Sequence, residues 1–78
     1  MDKNTAFNKI KKIIQSLEAN PEDNIYEIYQ KTRREISNSK LDTNEKIFEI
    51  LTELDLYFRT KDITSIENIK EIFNRDVF

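Results

Sequence analysis

The sequence predicts an all-α protein, a compact antiparallel four-helix bundle. Three observations carry that prediction. Apolar residues recur at three- and four-residue steps along most of the chain, the spacing that gathers them on one face of an α-helix. The 78 residues include no glycine, so tight hairpin turns and barrel corners lack the residue that makes them. Hydrophobic and charged residues hold nearly equal shares, 37% and 36%, which suits helices with one wet face each and is too apolar and too periodic for a disordered chain.

The first helix is predicted over 4–19, with Phe7, Ile10, Ile13, Ile14 and Leu17 as its apolar stripe and Lys9 and Lys12 away from it. Asn20 ends it, because a residue before proline is driven out of the helical region. Asn20 also suits the N-cap of a second helix over 21–38, with Pro21 at its first position and Glu22 and Asp23 in its first turn. Ile25, Ile28, Tyr29, Thr32 and Ile36 are its inward residues, and Glu27 and Lys31 form a favourable pair one turn apart. Ser37, Asn38, Ser39 and Lys40 break the apolar rhythm and read as a loop.

The third helix, 42–60, is the most apolar and the element around which the rest is organised. Asp42 and Glu45 resemble a capping box at its start. Ile47, Ile50, Leu51, Leu54, Tyr57 and Phe58 share one face, while Phe48, Thr52 and Leu56 step by four along another. A helix that is apolar on two sides is either central to a bundle or in contact with a partner. The fourth helix, 64–76, is announced by a capping box of Thr64 and Glu67, with Ile66, Ile69, Ile72, Phe73 and Val77 as its stripe and Phe78 just beyond. One small domain is expected from this length. The rival arrangement is a three-helix core with the last helix docked loosely or donated to a second copy.

Several function classes are excluded by what is missing. Without cysteine or histidine there is no disulfide, thiolate zinc site or imidazole base, and a metal site would have only carboxylates and carbonyls. Without glycine there is no phosphate-binding loop, dinucleotide turn, nucleophile elbow or EF-hand loop. No nucleophile has a recognisable base beside it, so neither an enzyme nor a cofactor is expected. Lys9, Lys11 and Lys12 interrupt what would be the apolar core of a secretion signal, and no run is long enough to span a bilayer. A cytoplasmic location is therefore expected. Abundant Lys, Asn and Ile beside scarce Ala suggest an AT-rich bacterial or phage genome.

Three features are candidates for function. The strip Phe48, Thr52 and Leu56 reads as a contact site for a protein partner or a second copy, or else as the second buried side of a central helix. The row Glu45, Glu49 and Glu53 occupies one helix face, either an acidic patch for a basic partner or a solvated surface. Tyr26, Arg33 and Lys40, at steps of seven, border the second helix with residue types common at interfaces, or are a half-buried tyrosine with basic stems covering the core edge. Charge is also uneven. Met1–Lys40 carries eight basic against six acidic residues, and Leu41–Phe78 five against nine, which together make the net −2. The basic half supports an alternative, a nucleic-acid-binding regulator using Lys12, Lys31, Arg33 and Arg34.

In size and layout the chain is similar to small helical immunity proteins that protect bacteriocin producers, and to small phage-encoded regulators. That is a likeness of architecture, which implies an immunity role as a further alternative and assigns no residue. The expected function is a non-enzymatic protein–protein interaction bundle, with Phe48, Thr52, Leu56, Glu49, Glu53, Tyr26 and Arg33 as its contact residues.

Overall fold

The computed structural model describes residues 1–19 and 24–75, and no strand occurs among them. The elements are α1 (Lys3–Ala19), α2 (Asn24–Asn38), a short 3-10 turn (Leu41–Thr43), α3 (Glu45–Thr60) and α4 (Ile63–Asn74). The all-α class and the four predicted helices are thus observed. Two compact units make up the chain, Met1–Thr43 and Asn44–Phe78.

In the first unit, Asp2 caps α1. Its carboxylate accepts the Thr5 amide at 2.8 Å and its carbonyl accepts the Ala6 amide at 3.0 Å. The bond from the Thr5 amide holds the Asp2 carboxyl below the usual aspartate range. α1 buries Ala6, Ile10, Ile13, Ile14 and Leu17, while Phe7 is only partly covered. α2 buries Ile25, Tyr29, Thr32 and Ile36. The two helices run antiparallel, since Lys9 in the first half of α1 meets Glu35 near the end of α2 at 3.2 Å. Ile28 departs from expectation and is 51% exposed. The four buried residues span an arc of about 60°, and Ile28 falls about 40° beyond its edge.

α2 ends at Asn38, where its predicted span ends, so of the four residues read as a loop only Ser39 and Lys40 lie beyond the helix. The chain turns at Lys40, whose φ of 60° places it in the left-handed region that glycine usually fills after a helix. The predicted cap Asn20, with Pro21, Glu22 and Asp23, lies outside the described residues.

In the second unit, α3 starts later than predicted. Leu41–Thr43, at the end of the first unit, forms a 3-10 turn, closed by the Thr43 hydroxyl donating to the Lys40 carbonyl at 2.8 Å. Asn44 follows in an extended conformation and is the true cap, its side chain accepting the Ile47 amide at 3.1 Å. Asp42 and Glu45 therefore make no capping box. The fourth helix is corrected in the same way. Asp62 caps it by accepting the Thr64 amide at 3.0 Å, which puts Thr64 inside the first turn and displaces the predicted box of Thr64 and Glu67. That bond also holds the Asp62 carboxyl below the usual range.

Between α3 and α4 stand only Lys61 and Asp62. Lys61 is left-handed, with φ 59°, and its amide closes the end of α3 by donating to the Tyr57 carbonyl at 2.6 Å. Its ammonium lies over the Tyr57 and Phe58 rings, 5.8 and 5.4 Å from their centroids. α3 buries Ile47, Ile50, Leu51 and Leu54, and α4 buries Ser65, Ile66, Ile69 and Ile72. Tyr57, Phe58 and Phe73 are half-buried. The pair is antiparallel, because Glu53 meets Asn68 and Glu49 meets Arg75. Val77 and Phe78 lie outside the described residues.

Candidate functional site

The strip Phe48, Thr52 and Leu56 is not a second buried side of α3. Phe48 is 62% exposed, Leu56 is 39% exposed, and Thr52 is exposed between them. Successive members drift by about 40° around the helix, so the strip crosses its outer surface as an oblique ridge. Thr52 donates its hydroxyl to the Phe48 carbonyl at 2.9 Å, so its one polar group is engaged within the helix. Covering this ridge strands no hydroxyl, and covering an exposed phenylalanine is worth about 2 kcal/mol.

The carboxylate row beside the strip is partly neutralised from α4. Glu49 pairs with Arg75 at 3.1 Å, and Glu53 accepts from the Asn68 amide at 3.4 Å. Both members of the ion pair are substantially exposed, so it orders the surface more than it stabilises the fold. Phe48, Glu49, Thr52, Glu53, Asn68, Ile72 and Arg75 line a shallow groove of about 390 Å³ on this side of the α3–α4 pair. Glu45, the remaining member of the row, is exposed.

No protein-family model, no curated protein and no solved structure matches the chain. Among the described residues no group of carboxylates is disposed to hold a metal ion, and no helix is long and apolar enough to cross a membrane. The displaced carboxyls of Asp2 and Asp62 are both helix caps, so their shifts follow from capping rather than from a reactive site.

The first unit divides the other candidates. Lys12 and Lys31 come together with Lys9 around a groove of about 440 Å³, whose apolar lining is Ile13, Ile25 and Ile28. Lys9 is occupied by Glu35. Arg33 lies about 200° around α2 from Lys31, where it donates to the Tyr29 hydroxyl at 3.5 Å, and Arg34 is exposed. The four basic residues therefore do not form one face. Tyr26 is 47% exposed and its hydroxyl accepts from the Gln30 amide. The seam from Tyr26 through Arg33 does not reach Lys40, because α2 ends at Asn38 and the chain reverses.

Spacing alone did not find Asn68, Ile72 and Arg75, which complete the groove beside Phe48. They come from another helix, and no periodicity within α3 points to them. Arg59, exposed at the far end of the α3 outer face, was also missed. Its signal was a step of seven from Thr52.

Proposed function

We propose that this chain is a non-enzymatic protein-interaction module that docks through the outer face of α3. Phe48 and Leu56 form the apolar contact, and Glu49 and Glu53 form its polar flank. The observation that carries this reading is the exposure of Phe48, a large aromatic side chain left in water on a regular, well-capped helix. A Phe48 required only for folding would be covered like Ile47 and Ile50 on the same helix.

A photo-reactive residue placed at position 48 tests the reading in cells. It is expected to capture a protein, while the same residue at the exposed position Glu67 does not. The aspartate variants Phe48→Asp and Leu56→Asp should weaken that association while Phe48→Asp changes folding stability by no more than about 0.5 kcal/mol. No adduct at position 48, or a loss of stability with association unchanged, would overturn it.

A further inference from the structure

We infer that the partner of the α3 face is a second copy of the same face, paired antiparallel about a two-fold axis at Thr52. The inference rests on the docking role just proposed and names its occupant. Five residues of α3 are exposed on one side: Glu45, Phe48, Thr52, Leu56 and Arg59. At about 100° per residue they share an arc of about 80°.

Their order along the helix is self-complementary. Phe48 and Leu56 stand four residues either side of Thr52, about 6 Å each way along the axis, and Glu45 and Arg59 stand seven either side, about 10 Å each way. A two-fold axis at Thr52 therefore brings each Phe48 alongside the other copy's Leu56. It also brings each Glu45 to the other copy's Arg59, so the two ends carry two opposite-charge pairs. Neither Glu45 nor Arg59 makes an ion pair among the described residues, so both charges are available. Glu49 and Asp55 are also equidistant from Thr52, but they lie on opposite shoulders of the face, about 120° apart. Glu49 is already paired with Arg75, so its charge is partly compensated within its own copy.

At the axis, the two Thr52 side chains meet with both hydroxyls engaged by their own helices. That matters because unsatisfied groups on a symmetry axis come in pairs. One face of a 16-residue helix is at the small end of specific interfaces, so a dimer of micromolar affinity is expected.

The test is solution mass by sedimentation equilibrium over a concentration series, on the full chain. Wild type is expected to pass from monomer to dimer. Glu45→Arg and Arg59→Glu each place like charges at both ends and should raise the dimer Kd roughly ten- to a hundredfold. The double variant exchanges the signs, and its Kd should return to within about threefold of wild type. Circular dichroism of each variant establishes that it folds, and Phe48→Asp, which leaves those charges in place, should abolish the dimer. A wild-type monomer up to millimolar concentration, or a double variant no better than the two singles, overturns the inference. If the position-48 probe then captures a different protein, the docking role survives and only the choice of partner falls. If it captures nothing, both fall.

Discussion

The two helical pairs solve the same problem inside and differ outside. Each packs two amphipathic helices antiparallel and buries isoleucine-rich stripes: Ile10, Ile13 and Ile14 with Ile25 and Ile36 in one, and Ile47 and Ile50 with Ile66 and Ile69 in the other. The apolar surface each leaves in water is shaped differently. In the α1–α2 pair, exposed Ile28 lines a concave groove rimmed by Lys9, Lys12 and Lys31. In the α3–α4 pair, Phe48 and Leu56 stand on the ridge of a single helix with opposite charges at its two ends. A lysine-rimmed hollow sets its isoleucine among long aliphatic stems and positive charge. A ridge shields nothing. The same amphipathic pattern thus leaves an exposed isoleucine in a hollow in one pair and exposed side chains on a ridge in the other.

Core truncation tests the first half of that comparison and should have the largest effect. Leu54→Ala and Ile10→Ala each remove a wholly buried side chain and should each cost about 2–5 kcal/mol in denaturant unfolding. A loss below 1 kcal/mol at either site would mean that one pair lacks a packed interior, and the equivalence would fail.

The helix ends sharpen the comparison at smaller cost. Both pairs place a lysine in the left-handed region, at Lys40 and at Lys61. A side chain there is unfavourable by about 1 kcal/mol, so Lys40→Gly should stabilise the protein by about that much. Lys61→Gly should gain less, because it also removes an ammonium from over two rings, a contact worth about 0.5 kcal/mol at an exposed site. Equal gains in melting experiments would show that the ring contacts contribute nothing.

Acid should separate the helix starts by the smallest effect. Asp2 and Asp62 are each held below the usual carboxyl range by the amide they accept, while Asn44 caps α3 without a charge. A depressed carboxyl contributes stability that is whole above its unfolded pKa and is lost as pH falls through the folded value. Amide exchange should therefore show the first turns of α1 and α4 loosening below the ordinary aspartate range, with the first turn of α3 unaffected. Asp62→Asn should erase the response at α4 alone.

Those starts also show what could be read from the sequence. Helix number and the inward stripes were legible because burial is periodic, and thirteen of the inward isoleucines and leucines lie where their spacing puts them: Ile10, Ile13, Ile14, Leu17, Ile25, Ile36, Ile47, Ile50, Leu51, Leu54, Ile66, Ile69 and Ile72. The start of α3 was not legible, because Asp42, Thr43 and Asn44 are three adjacent residues able to cap. The choice went to Asn44 when the Thr43 hydroxyl bonded the Lys40 carbonyl and spent the preceding residues on a 3-10 turn. Ala6 and Ser65 are buried without having signalled it, since a small side chain fits a close helix contact whatever its polarity. At the candidate site, the strip itself was visible from steps of four. Its exposure was not, because a pattern names a face without saying whether anything covers it. The Glu49–Arg75 pair joins residues on different helices, which spacing within α3 has no means to foresee.

The corner at Lys61 and Asp62 has one consequence for how this chain can change. Its first residue is committed to ending α3 and its second to starting α4, so the connection contains no idle residue. A deletion there takes away a helix stop or a helix start outright. Length is therefore the property this corner can least afford to vary, and side-chain identity is the freer one.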